Sequence, residues 1–183
     1  MSKIRKRLKS RAGMTLVELL CAVLILMLVS ESLTLGTRFA KEQYLESMRT
    51  SQSVELYNTV QTILSNELRY TTDVQMDGKN VSKFYSVTYA IQSDLTKLMT
   101  LDEQGQETSG YGYLALGNTN SRTGKLEYNR ILSNAAYTNG LRVKVDAFTY
   151  NLITKYFTVT LSIQADENDY ISNRSFQVKA LNL

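Results

Sequence analysis

Residues 11–28 read RAGMTLVELLCAVLILML and join a glycine to an apolar run that contains one acidic residue. From Leu19 to Val29 every side chain is apolar. With its flanks, at residues 14–35, the run reaches the roughly 20 residues that a helix needs to cross a bilayer. Glu18 lies near its start, and an ionised carboxylate costs about 2.5–3.5 kcal/mol at the centre of a membrane helix. The stretch predicts a membrane-spanning helix whose early carboxylate needs an explanation.

The residues before this run carry the basic character of the chain. Six of its 21 lysines and arginines precede Gly13, and no acidic residue does. Positive charge beside an apolar helix stays in the cytoplasm, so we expect a cytoplasmic N-terminus and a C-terminal domain outside. Without residues 1–13 the chain has 15 basic and 17 acidic residues, a net charge of −2 in place of +4. No direct partnership with nucleic acid is predicted, because that needs a lasting basic face.

The residue types exclude several kinds of site. Cys21 is the only cysteine, so neither an intrachain disulfide nor a paired-cysteine metal site can form. We interpret Cys21 as a small apolar residue of a packed helix. The chain has no histidine, which removes the commonest general base and the usual zinc ligands. No enzyme activity and no cofactor are predicted.

Helical character continues beyond the apolar run. Residues 37–70 contain no proline or glycine. Apolar side chains recur there at helical spacing: Leu45, Met48, Tyr57, Val60, Leu64 and Leu68. This amphipathic stripe needs a surface to pack against. We predict one helix from about Met14 to about Arg69, with a membrane half at 14–36, an amphipathic half at 37–69 and a weak point at Gly36.

The pattern changes after Tyr70, and residues 70–183 are predicted to form a β-rich globular domain. Residues 141–150 and 155–164 alternate apolar and polar side chains, and the short break between them predicts an antiparallel hairpin. Further strand candidates lie at 81–91, 111–117, 124–132 and 174–183. Cross-strand packing explains the many tyrosines of this half better than an adhesive face for sugars. The predicted fold class is α+β, a long N-terminal helix packed on an antiparallel sheet.

Ordinary export signals explain the N-terminus incompletely. Ser30-Glu31-Ser32 loosely fits a secretory cleavage site, but an ionisable residue early in the apolar region does not. A lipoprotein signal would place its cysteine at the end of the apolar run, whereas Cys21 lies near the beginning. A plain membrane anchor accounts for the leader and the hydrophobicity and gives no reason for Glu18.

The residues RAGMTLVELL resemble the class III signal of type IV pilins and type II secretion pseudopilins. In that family a prepilin peptidase cuts after the glycine, on the cytoplasmic side. The resemblance implies a cut between Gly13 and Met14 and N-methylation of the new α-amino group of Met14. Glu18 matches the family's glutamate at the fifth mature position. The chain departs from the family in its first mature residue, where phenylalanine is commoner, and in lacking the frequent helix-kinking proline and the cysteine pair of many major pilins.

The resemblance gives Glu18 a partner. No basic residue lies near it in the apolar run, and cleavage would create an amine at Met14. The first and fifth residues of a helix lie one turn apart, so a pair within one subunit is feasible. In the family the pair forms between neighbouring subunits, which neutralises both charges and sets the filament register.

The implied function is that of a structural subunit of a type IV pilus, pseudopilus or competence-type filament. A minor subunit of J or W type is preferred, and a major subunit is the alternative. The implied partners are the prepilin peptidase and methylase, other pilin or pseudopilin subunits, the assembly platform protein and the membrane. The protein would first cross the cytoplasmic membrane once and then enter an extracellular filament or pseudopilus. A rival hypothesis is a single-pass anchored binding module whose β-rich domain recognises an extracellular ligand.

A loop at residues 165–170 contains the weak calcium candidates Asp166 and Asp169. Oxygen-rich loops suit calcium, and some pseudopilins bind it in their C-terminal domain. A solvated turn between two strands is the preferred interpretation, so no metal site is predicted.

Overall fold

A computed structural model describes residues 15–87, 95–165 and 169–183, with only the backbone at 169–171. The chain divides into two compact units after Glu46. In the described residues, one long helix is followed by nine strands: α1 Leu16–Arg69, β1 Val74–Asp77, β2 Asn80–Phe84, β3 Lys97–Leu101, β4 Glu107–Thr108, β5 Tyr113–Thr119, β6 Leu126–Arg130, β7 Leu141–Asn151, β8 Tyr156–Ala165 and β9 Asp169–Lys179. Short 3-10 helices at Asn134–Ala136 and Thr138–Gly140 precede β7.

The first unit contains the apolar part of α1, which is long and apolar enough to cross a membrane. Its large apolar side chains, from Leu16 to Leu35, are exposed. The hydroxyl groups of Ser32 and Thr34 donate to backbone carbonyls one turn earlier, at 2.9 and 2.8 Å. These polar groups are therefore satisfied inside the helix, as a lipid environment demands. Helix α1 runs through Gly36 without a break.

The amphipathic stripe of α1 forms part of the core of the second unit. Tyr57 is 6% exposed, and Val60, Leu64 and Leu68 are fully buried, together with apolar side chains of β7, β8 and β9. The Tyr57 ring meets the Phe176 ring edge to face, with centroids 6.1 Å apart. The predicted contact between the second half of the helix and the sheet is confirmed. The predicted stripe begins too early, because Leu45 and Met48 do not belong to this core.

The larger sheet has the strand order β1-β2-β7-β8-β9, with antiparallel pairing throughout. The predicted hairpin is confirmed as β7 and β8, whose last pair is Asn151 with Tyr156. The Asn151 side-chain oxygen accepts the backbone N–H groups of Ile153 and Thr154 at 2.9 and 3.1 Å. Lys155 adopts a positive φ of 61°. The asparagine therefore organises the tight turn at the hairpin tip.

A second sheet has the order β4-β3-β5-β6, so the antiparallel strands divide between two sheets instead of forming one. Strand β3 is not predicted by the sequence pattern, because its burial does not alternate. Leu98 joins the main core, whereas Met99 and Leu101 join a second cluster with Ala115. A strand buried on both faces has no polar alternation to mark it. The strand predicted at 81–91 ends at Phe84, and residues 88–91 lie outside the described part.

Tyr137 holds the start of β5 through a buried hydrogen bond. Its hydroxyl oxygen accepts the backbone N–H of Leu114 at 2.9 Å, and both residues belong to the main core. Tyr137→Phe leaves this N–H without a partner, which costs about 1–3 kcal/mol. We expect a lower free energy of unfolding in a urea titration of the full chain in detergent. Tyr156→Phe, at a tyrosine that is 38% exposed, is the matched control and should change little. Equal stability of the two variants would contradict the assigned role.

Alkaline pH should destabilise the second unit. Burial raises the pKa of Tyr57, Tyr137 and Tyr150 above the ordinary tyrosine value. The folded state therefore keeps these protons at a pH where the unfolded chain releases them, and stability falls as pH rises above about 10. Unfolding measured between pH 8 and about 11 should show this loss, with a shallower slope in Tyr137→Phe. A flat profile would contradict the burial of these hydroxyls.

Candidate functional site

Three hydrogen bonds join Thr15 and Glu18 at the beginning of α1. The Thr15 hydroxyl oxygen accepts the Glu18 backbone N–H at 3.3 Å. In return, Glu18 Oε2 accepts the Thr15 backbone N–H at 2.9 Å and its hydroxyl at 3.0 Å. This is a capping box, in which a threonine and a glutamate three residues later satisfy each other's backbone N–H groups. The carboxylate also lies at the positive end of the helix dipole.

The capping box accounts for the position of the Glu18 carboxylate, but it contains no positively charged group to balance the carboxylate's charge. The two hydrogen bonds that the carboxylate accepts reach the same oxygen, Oε2, and their donors, the backbone N–H and the hydroxyl of Thr15, are neutral. A buried carboxylate needs a cation as well as hydrogen bonds if it is to stay ionised away from water. The sequence has no lysine or arginine between Gly13 and Arg38. Glu18 itself is exposed, so a cation becomes necessary only where lipid or a neighbouring helix removes its carboxylate from water.

Thr15 is not among the site residues predicted from the sequence. Its signal was present, since Thr15-Leu16-Val17-Glu18 has the spacing of a capping box immediately before an apolar run. Gly13 and Met14, the predicted cleavage and methylation residues, lie outside the described residues. The structure thus locates the carboxylate of the predicted pair, and the site of the amine stays a prediction.

Among the described residues, the remaining predicted positions bring no second site together. Asp166 lies outside the described residues, and only the backbone of Asp169 is described, paired with Ala165. The calcium question therefore stays untested. Within the described ranges, no group of three or more histidine, cysteine, aspartate or glutamate side chains converges on a common point. Cys21 is exposed on α1 as a free thiol.

Comparison with known proteins agrees with the N-terminal pattern. The family model of the prokaryotic N-terminal methylation motif matches residues 8–30. The match includes Gly13, Met14, Thr15 and Glu18. No characterised protein and no solved structure matches the chain. The chain therefore carries a type IV pilin-like prepilin signal at the start of a long apolar helix.

Proposed function

We propose that the protein is a structural subunit of a pilus, pseudopilus or competence-type filament, assembled through α1 after prepilin peptidase removes residues 1–13. The observation that carries this proposal is the methylation motif at residues 8–30, joined to a carboxylate held at the start of an exposed apolar helix. A filament core of packed apolar helices would bury that helix outside the membrane. The proposed role is structural, and the chain is the substrate of the processing enzyme.

The proposed cleavage creates the cation that Glu18 lacks. Hydrolysis of the Gly13–Met14 peptide bond adds water across it and yields a Gly13 carboxylate and a Met14 ammonium group. Methylation of an amine retains its ability to carry positive charge. The ammonium group of one subunit can then pair with Glu18 of a neighbour, while Thr15 keeps the carboxylate oriented at the helix end. A pair that forms only between subunits stabilises the assembled state.

We further propose a minor subunit, of J or W type, for this chain. The absence of a cysteine pair and of proline supports this choice over a major subunit. The uninterrupted 54-residue helix is consistent with the missing proline, because that residue is the usual cause of a sharp helix kink. Insertion from the cytoplasmic membrane, with the second unit outside, follows from the basic leader.

Filament membership can be tested by isolation. Sheared filaments, or pseudopili captured through another subunit, should contain the processed protein when prepared from cells with an intact prepilin peptidase. The same preparation from peptidase-deficient cells should lack it, with the protein retained in the membrane. Presence in filaments without processing would contradict the proposal. The rival, a membrane-anchored binding module, predicts that the protein stays in the membrane in both strains.

A further inference from the structure

Asn139 is followed by Gly140, and this is the only Asn-Gly pair in the chain. The pair lies in the short 3-10 segment Thr138–Gly140, just before β7. Both residues have a positive φ, 51° for Asn139 and 74° for Gly140. Asparagine and glycine are the residues that adopt this backbone conformation most readily. The pair therefore forms a bend, and Asn139 is exposed to water.

Asparagine is a chemically labile residue, because its side-chain amide reacts with the backbone nitrogen that follows it. Here the nitrogen of Gly140 would lose its proton to base and attack Cγ of Asn139, and Nδ2 would leave as ammonia. Water then adds to the resulting five-membered imide and opens it at either carbonyl, which gives aspartate or isoaspartate. Glycine favours the attack because no Cβ hinders the approach of its nitrogen. The reaction consumes one water, releases one ammonia and needs no enzyme.

A hydrogen bond to α1 restrains the Asn139 side chain. Its Nδ2 donates to Oε1 of Gln52 at 2.6 Å. The two residues are 87 positions apart, and both belong to the second unit. This contact holds the amide that has to turn towards the Gly140 nitrogen. Because the hydrogen bond must open before the attack, it should slow the reaction in the folded chain.

Two other asparagines of the described loops show why Asn139 is the favoured position. Asn134 is also exposed, but Ala135 follows it, and the Cβ of that residue hinders the backbone nitrogen. The side-chain oxygen of Asn151 accepts two backbone N–H groups in the hairpin turn, and Leu152 follows it. Asn139 combines exposure to water with a glycine neighbour.

We propose that Asn139 is a site of spontaneous deamidation, and that its hydrogen bond with Gln52 limits the rate in the folded protein. The product has a carboxylate in place of the amide, so it loses the Nδ2 donor that Gln52 binds. The isoaspartate product also lengthens the main chain by one methylene group just before β7. Modification should therefore loosen the contact between this segment and α1. The site lies on the second unit and does not depend on cleavage at Gly13.

The first measurement is the mass of the purified full chain in detergent, followed during incubation at neutral and at mildly alkaline pH. We expect a mass increase equal to the difference between an OH and an NH2 group, assigned to residue 139 by peptide mapping. The increase should be faster at alkaline pH, because the attacking nitrogen must lose its proton. Asn139→Asp is the control and should show no such change at this position. No modification of residue 139, or a rate that does not depend on pH, would overturn the proposed site.

The second measurement compares the rate in Gln52→Ala with that in the unmodified chain. Loss of a hydrogen bond of ordinary strength should raise the rate about fivefold. Gln43→Ala, at an exposed glutamine elsewhere on α1, is the matched control and should leave the rate unchanged. All three chains should react at one common, faster rate when they are unfolded in urea. Equal rates in the folded Gln52→Ala and unmodified chains, with both folded by circular dichroism, would contradict the protective role of Gln52.

Discussion

Glu18→Ala is expected to remove the protein from filaments while leaving its processing intact. The substitution deletes the carboxylate that the Met14 ammonium group would pair with in the filament core. Removing one partner of a buried ion pair leaves the other charge uncompensated, which is strongly destabilising, so we expect a loss of more than about a hundredfold in the assembled fraction. The measurement is the ratio of processed protein in the filament fraction to that in the membrane fraction, with the N-terminus checked by mass spectrometry.

Glu31→Ala is the matched control for this loss. Glu31 is a second carboxylate on the same helix, exposed and without a capping role in the described part of the chain. It should assemble close to the level of the unmodified protein. Wild-type incorporation of Glu18→Ala, or equal losses in the two variants, would remove the electrostatic basis of the proposed function. An anchored receptor would tolerate both substitutions.

Gly13→Ala is expected to block processing almost completely. The peptidase must approach the backbone on both sides of the bond it cuts, and a glycine allows that approach because it has no Cβ. The variant should keep its full length and its basic leader and stay in the membrane. Gel mobility and intact mass, after co-expression with the peptidase, measure the outcome. Ala12→Gly alters the neighbouring residue and should still be cut.

The two N-terminal variants separate two stages of the proposed pathway. Glu18→Ala should be cut but not assembled, whereas Gly13→Ala should be neither cut nor assembled. A Gly13→Ala protein with the same N-terminus as the unmodified protein would contradict the proposed processing at Gly13. Glu18→Ala also removes the two hydrogen bonds that the carboxylate accepts from Thr15, which weakens the first turn of α1 locally but does not account for a complete loss of assembly.

Local patterns predicted the parts of the fold that depend on local order. The spacing of Tyr57, Val60, Leu64 and Leu68 identified the buried stripe, and alternation identified the β7–β8 hairpin. The division into two sheets was not predictable in this way. It depends on isolated long-range pairs, such as Gly112 with Val143, and these leave no periodic signal in either segment.

The sequence predicted the key residue of the candidate site, but not the hydrogen bonds that hold it in place. The cost of an unpaired carboxylate identified Glu18 as a residue that needs a partner. The role of Thr15 appeared only in the structure, although its spacing from Glu18 was visible.

The N-terminus of the protein recovered from producing cells tests the central claim most directly. Intact-mass analysis and N-terminal sequencing should find a chain that begins at Met14 and carries one methyl group on its α-amine. The α-ammonium group of such a chain is the cation that the proposed pairing with Glu18 requires. A chain that still begins at Met1, or one cut behind Ser32 as by a secretory signal peptidase, would contradict the proposed processing and the filament role that depends on it.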